Sequence, residues 1–300
     1  MKIGLMLPLA DDETNGFADL RALGIAAEDS GLDSVFGADH LIFRDGGETT
    51  GIHECWTVLT AIAAVTSRVE IGPLVLALPF RNPALTAKMA AELDEVSGGR
   101  LILGLGCGWH RPEFDAFGYP FEHRVSRFDE GLQILVPLLR EGRVSFAGRY
   151  HRAEDAELRP RPIRDGGPPI LIAGKRPRML ELVARDADQW NAAWYGHPDE
   201  AHELRERLAN LHAALSVAGR DPATLEITVG IFVAFEGADA DTPEHAIRGS
   251  LDEVADALAG YAALDAKHLI AHVFPRTPQA VYRLGEAAAL ARERVATTVG

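Results

Sequence analysis

Apolar positions along the chain fall into short runs that alternate with longer stretches of helical spacing. Residues 3–7 are an apolar run closed by Pro8, the pattern of a buried strand, and 17–30 follow with Leu20, Leu23 and Ala27 on one helical face. Gly31, free to take positive φ, stops that helix, and a second strand over 34–37 delivers Asp39 and His40 to its end. A polar loop rich in Gly and Thr, 44–53, leads to a helix over 54–66 with Trp56, Leu59, Ile62 and Ala63 on the face expected to be core. The third strand spans 69–78, where Pro73 marks an irregular ladder.

The same unit then recurs. Pro83 occupies a first-turn position, so 84–96 is a helix, stopped by Ser97-Gly98-Gly99 before a fourth strand over 101–106 and a helix over 127–139. A strand over 169–173 is paired with a helix over 177–187, and a short sixth strand, 189–192, with a long helix over 200–218. Strands over 225–235 and 268–273, with helices near 244–262 and 278–294, complete the series. Eight strands alternating with eight helices predict an α/β fold, a (β/α)8 TIM barrel, over an open doubly wound sheet. Residues 144–163 break the rhythm: strand-like residues around Gly148 predict a hairpin inserted before strand five.

Length by itself favours about two domains, but one barrel accounts for all 300 residues and no shift in composition marks a boundary, so 1–300 reads as a single barrel domain. A hydrophobic share of 47% is enough for a large core, which excludes a disordered or fibrous chain. The net charge of −14 argues against a nucleic-acid surface spread over the molecule. No stretch approaches the roughly 18 apolar residues of a membrane span, and the N-terminus lacks the apolar region of a signal peptide. The expectation is a soluble, cytoplasmic protein whose two cysteines, Cys55 and Cys107, are reduced thiols. The charge is segregated: residues 140–178 carry ten Lys/Arg against five Asp/Glu, whereas 236–265 hold eight acids and one base.

Barrels of this kind build their sites at the C-terminal ends of the strands. There the second strand carries Asp39-His40, the third Phe80-Arg81-Asn82, the fourth Gly104 to His110, the fifth Ala173-Gly174-Lys175-Arg176, and the sixth Trp190-Asn191. Gly104, Gly106 and Gly108 lack the spacing of a dinucleotide loop. They admit close approach by a flat ring, or are simply tolerated at a crowded rim. Gly174, Lys175 and Arg176 stand immediately before a helix, where backbone N–H groups, helix dipole and cations favour a phosphate. The competing reading is a solvated insertion whose arginines pair with Glu154, Asp155 and Glu157. Asp39-His40 has three readings: acid–base work, a metal site with His53 or His110, or hydrogen bonds that hold a loop. No HxH or HExxH pattern supports the metal, and none is expected.

Ala38-Asp39-His40, the segment 66–72, Phe80-Arg81-Asn82-Pro83, the segment 97–109 and Pro168-Pro169-Ile170-Leu171-Ile172-Ala173-Gly174 together resemble the luciferase-like flavin-dependent oxidoreductases. They occur in that family's order, Glu113, Phe117-Gly118 and Arg124 continue the pattern, and the last third of the chain shares only the strand–helix rhythm. The likeness is nearest to members using the deazaflavin coenzyme F420, although FMN-dependent members share most of these segments. The resemblance implies the barrel, the insertion before strand five, and a cofactor ring at the strand ends. It also implies a bulge after strand three with a non-proline cis peptide at Leu74-Val75. By position, Asp39 and His40 would approach the reactive centre. Gly106, Cys107, Gly108 and Trp109 would line the ring or its tail, and Ala173, Gly174 and Lys175 would meet the phosphate.

The function expected is therefore hydride transfer between F420 and a small organic substrate, with His40 as proton donor or acceptor. One alternative is a monooxygenase using oxygen and reduced FMN supplied by a partner reductase; another is a non-catalytic ligand-binding barrel. The resemblance also implies a homodimer.

Overall fold

Each apolar run pairs with a neighbour in parallel, the arrangement that requires a helical crossover between strands. The computed structural model describes residues 1–238 and 242–299, so part of the acidic stretch, 239–241, lies outside the described residues. The chain opens with β1 (Lys2–Met6), α1 (Phe17–Asp29), β2 (Ser34–Gly37), β3 (Ile42–Asp45), β4 (Glu48–Gly51) and α2 (Cys55–Val65). Next come β5 (Glu70–Pro73), β6 (Leu76–Ala77), α3 (Pro83–Val96), β7 (Leu103–Gly106), α4 (Arg111–Phe117) and α5 (Arg124–Glu141). The hairpin strands β8 (Arg143–Ala147) and β9 (Arg152–Glu157) precede β10 (Ile170–Ala173), α6 (Pro177–Asp186), β11 (Gln189–Tyr195) and α7 (His202–Val217). β12 (Glu226–Ala234), α8 (Leu251–Gly260), β13 (Ala266–Phe274) and α9 (Pro278–Val299) complete it.

The main sheet runs β5-β2-β1-β13-β12-β11-β10-β7-β6. Its two outermost members, β5 and β6, are the halves of the strand expected at 69–78, separated by a cis peptide at Leu74-Val75. β5 pairs with β2, and β6 pairs with β7. A bridge from Ile71 to Leu101 and the hydrogen bond from Ile102 N to Ile71 O (2.8 Å) carry β5 across to the run entering β7, so the barrel closes through this one interrupted strand.

Two apolar layers follow from this geometry. The larger packs the helices on the outside of the sheet, with the α2 face of Cys55, Trp56, Val58, Leu59 and Ile62 as an example. The smaller fills the barrel itself: Met6, Phe36, Leu74, Ile102, Leu171 and Ile270, one each from strands or strand ends around the ring. This plug is a packed core and not a pore.

Several boundaries differ from expectation for identifiable reasons. The β3–β4 hairpin, turned by Gly46 and Gly47, both with positive φ, starts ahead of the polar loop expected at 44–53 and takes up most of it. The helix expected over 244–262 starts only at Leu251, because Ser250 and Glu253 form a reciprocal capping box there and Ile247 is drawn into a bridge with Val233. The stretch after Gly108, expected as loop, contains α4 with Pro112 in its first turn.

The glycines of β7 also differ from the reading as an opening for a ring. A Cβ on Gly104 would stand 2.0 Å from the Pro73 carbonyl oxygen, and one on Gly106 would stand 2.7 Å from Val75 Cγ2. What approaches β7 so closely is the protein's own interrupted strand. Because the obstacle at Gly104 is backbone and cannot change rotamer, Gly104→Ala should cost about 1–3 kcal/mol or more. A lowered midpoint in urea unfolding is the expected result, and an unchanged midpoint would contradict the contact.

Candidate active site

The C-terminal strand ends open into a cavity of about 760 Å³, a size usual for small-molecule and cofactor sites. Asp39, His40, Leu74, Val75, Gly106, Cys107, Gly108, Trp109, Ala173, Gly174 and Lys175 all line it. Met6 and Leu74 belong both to this lining and to the barrel plug, so the top of the core is the floor of the cavity.

Asp39 is the clamp on that floor. Its buried carboxylate accepts hydrogen bonds from Ala77 N (2.8 Å), Arg81 Nη1 (2.7 Å) and Arg81 Nη2 (2.9 Å), which is the bidentate arrangement favoured by guanidinium. Arg81 reaches on to Glu54 at 3.0 Å, and Glu54 caps α2 through Trp56 N and Thr57 N. Burial pushes the Glu54 carboxyl up, but hydrogen bonds from Thr57 and Trp56 and the charge of Arg81 bring it below its ordinary value. With both Asp39 oxygens engaged, this residue fixes the return of the chain after the Leu74-Val75 bulge.

His40 is placed differently. Its Nδ1 lies 3.0 and 3.2 Å from the two oxygens of Glu113, a carboxylate with 1% exposure that also accepts from Leu41 N at 2.9 Å. With Glu113 ionised, Nδ1–H donates and the imidazole tautomer is set, leaving Nε2 as the ring's other polar atom. Glu113 rides on α4, and α4 is held by Phe114, which packs on Phe80 with ring centroids 4.7 Å apart. Gly108 (φ +71°) makes room for that ring, since a Cβ would stand 2.5 Å from Phe114 Cζ, and Arg124 Nε donates to its carbonyl at 3.1 Å. Phe43 and Trp109 flank the imidazole at 4.3 and 5.5 Å between centroids, and Trp109 remains 63% exposed at the rim. His110 accepts from Arg44 N and so braces the β3–β4 hairpin.

At the ends of β10 and β11, Trp190 Nε1 donates to Gly174 O at 2.9 Å and holds the loop that carries Lys175. Most of the neighbouring positive charge is engaged elsewhere. Arg140 bonds Asp188 and two carbonyls, Arg161 bonds carbonyls, and Arg164 pairs with the fully buried Asp94. Arg152 and Arg159 pair with Glu154 and Glu157 on the exposed hairpin, as the solvated-insertion reading expects for that part of the stretch. The Cys107 thiol is pushed up by burial, which keeps it protonated near neutrality.

Several lining residues were not singled out from the sequence: Asp12, Glu13, Trp194, Arg207 and His272. Glu13 follows β1 and His272 lies on β13, strand ends that carry no recognisable spacing. Burial raises the Glu13 carboxyl against the opposing charge of Arg276, and burial lowers the His272 imidazole to about 3, so it stands neutral. Trp194 packs beside His272 at 4.4 Å, and Phe232 stacks behind it at 5.5 Å, giving the cavity an aromatic wall on this side. Glu113 appeared in the sequence only as part of the resemblance; Pro112 followed by an acid is the first-turn signal that could have placed it on a helix.

A barrel whose cavity sits at its strand ends, floored by an interrupted third strand and flanked by a His–Glu pair, defines the class. The description "Luciferase-like monooxygenase" belongs to the family model that matches residues 1–299, and the chain belongs to that family. An FMNH2-dependent dimethylsulfone monooxygenase of Pseudomonas putida is 28% identical over 256 residues, 84% of this chain and 66% of that protein. An F420-dependent glucose-6-phosphate dehydrogenase of Amycolatopsis mediterranei is 34% identical over 187 residues, 60% of this chain and 54% of that protein. The matches thus span about half to two thirds of the length of these curated relatives. An F420-dependent secondary alcohol dehydrogenase, solved with an F420-acetone adduct, superposes with a TM-score of 0.79 at 19% identity, covering 97% of this chain and 99% of that one. Enzymes of both cofactor classes are therefore among the relatives.

Removing the Asp39 carboxylate leaves Arg81 with Glu54 alone and frees Ala77 N. Breaking one side of a buried pair costs about 3–5 kcal/mol, and Glu54 should keep Asp39→Ala near the lower end. Chemical denaturation checks this; a loss below about 0.5 kcal/mol, the level of an exposed pair, would show that the clamp is not structural.

Proposed function

We propose that the protein is an oxidoreductase that transfers a hydride between coenzyme F420 and an uncharged organic substrate, with the cofactor ring over Leu74-Val75. The observation that carries this reading is the His40–Glu113 pair in the same cavity as the cation-bearing Gly174-Lys175 loop. When bound, the deazaflavin supplies or takes up the hydride. The protein positions, excludes water and handles the proton. Glu113 holds Nδ1–H, so Nε2 of neutral His40 takes the proton of the substrate hydroxyl as the hydride leaves for the cofactor, and in the reverse direction the imidazolium, protonated at Nε2, returns it to the substrate oxygen. Leu74 and Val75 support one face of the ring, while Cys107, Gly108 and Trp109 flank it. Gly174 and Lys175 receive the phosphate, and Trp194 with neutral His272 presents an apolar surface to the substrate.

The residues present suit such a group: an apolar floor, a cavity of sufficient volume, and cations confined to one side. A second reading, oxygen chemistry on reduced FMN, draws support from the dimethylsulfone monooxygenase relative, whose match covers 84% of this chain. It would require a separate reductase. Fluorescence titration with F420 and with reduced FMN under anaerobic conditions separates the two: saturable micromolar binding of F420 is expected, and binding of reduced FMN alone would favour oxygen chemistry.

His40→Ala and Glu113→Gln should each lower turnover roughly 10²- to 10⁴-fold while leaving cofactor affinity within a few-fold. Unchanged turnover in His40→Ala would rule out the proton role.

A further inference from the structure

Successive side chains of a strand point to opposite faces, so His268, Ile270 and His272 of β13 all enter the barrel, one above the other. Ile270 belongs to the plug. Below it, His268 is fully buried, and its Nε2 lies 2.7 Å from Ser34 Oγ. Above it, His272 lines the cavity. The two imidazoles differ in what encloses them. Nδ1 of His268 is unpartnered and sealed in protein. Neither ring nitrogen of His272 is hydrogen-bonded by a described residue, and this residue is part-buried, at the cavity wall.

Polar groups enclosed by protein are nearly always hydrogen-bonded, and one that faces a binding cavity without a protein partner is left to bond what enters. The surroundings of His272 narrow the chemistry. Trp194 packs at 4.4 Å and Phe232 stacks at 5.5 Å, so the faces of the ring are given to aromatic contact and its polar atoms lie on the edge. Burial, aided by the charge of Arg276, keeps the ring neutral, with one N–H donor and one acceptor nitrogen. Arg276 is in turn held by Glu13 at 2.5 Å, and both Glu13 and Asp12 line the cavity. Acids along this wall oppose a carboxylate or phosphate on the substrate. A hydroxyl, which both donates and accepts, matches the edge of a neutral imidazole.

We propose that His272 determines specificity by hydrogen-bonding a substrate hydroxyl other than the one at the reacting carbon, so that neutral molecules with two or more hydroxyls are preferred over simple alcohols. This deepens the function proposed above and rests on it for the role of His40, which serves the reacting oxygen while His272 serves a second one. β1 alone separates β2 from β13 in the sheet, so the strands that carry the two imidazoles stand about two strand spacings, or about 10 Å, apart. That is the span of a small polyol.

The test uses the intact chain, with and without F420, and takes cyclohexanol and the positional isomers of cyclohexanediol as probes. Affinities are read by titration under histidine-selective nitrogen NMR. At least one diol should bind the wild type roughly ten- to hundredfold more tightly than cyclohexanol. That preference should be lost in His272→Phe, which keeps a ring beside Trp194 and Phe232, and should persist in His272→Gln, which keeps a donor and an acceptor. In the wild type, the ring-nitrogen signals that are missing from the His272→Gln spectrum should shift when the diol binds. A preference unchanged in His272→Phe, diol binding that leaves those signals unmoved, or a wild type that prefers no diol would each overturn the proposal. Failure of the cofactor reading shows separately: F420 does not bind, yet the diol preference and its dependence on His272 are intact in the cofactor-free protein, an outcome that upholds the role of His272.

Discussion

The buried carboxylate of Asp39 is the constraint on which the site depends. The third strand leaves β2 at Pro73, turns through Leu74-Val75 and rejoins the barrel against β7. The Asp39 bonds to Ala77 N and Arg81 hold it at the point of return. Three consequences follow. Leu74 is pressed into the barrel plug and becomes the cavity floor. Gly104 and Gly106 are required because the bulge lies against β7 with no space for a Cβ. Arg81 is carried to Glu54, so the clamp also fixes the start of α2. A surface pair of the same composition would contribute little, but here the partners are largely dry and share geometry with the backbone.

A second layer of support sets the chemistry. His40 follows directly on Asp39, so whatever fixes Asp39 fixes the backbone of His40, and Glu113 then selects the ring tautomer. Glu113 reaches this position only because Phe114 anchors α4 beneath Gly108. The chain of dependence runs from a glycine with positive φ, through a buried phenylalanine, to a carboxylate and finally to an imidazole nitrogen. The catalytic hypothesis rests on that positioning as much as on His40 itself.

Much of this was legible in the sequence because period and punctuation are local properties. Alternating apolar runs and helical faces predict the barrel, and Gly-Gly and Pro signals bound its helices. The strand ends at 39–40, 106–109 and 173–175 could be read as one neighbourhood once the barrel was assumed, and all of them line the cavity. What escaped are contacts between segments distant in sequence. Nothing local marks Arg81 as the partner of Asp39, Trp194 as a neighbour of His272, or Gly104 as a seat for Pro73. The basic stretch at 140–178 looked like an anion-binding region by composition, yet most of its arginines satisfy carbonyls and buried or exposed acids. The resemblance supplied Leu74-Val75 and the cofactor class, which spacing alone did not.

The central claim is that the floor formed by Leu74-Val75 and the His40–Glu113 pair address opposite sides of a single bound flavin-type ring. A crystal structure of the protein with F420 and an inert substrate analogue tests it most directly. The ring should lie in van der Waals contact with Leu74-Val75, with the analogue between it and His40 Nε2. A ring bound away from the bulge, or an analogue beyond hydrogen-bond reach of His40, would contradict the account.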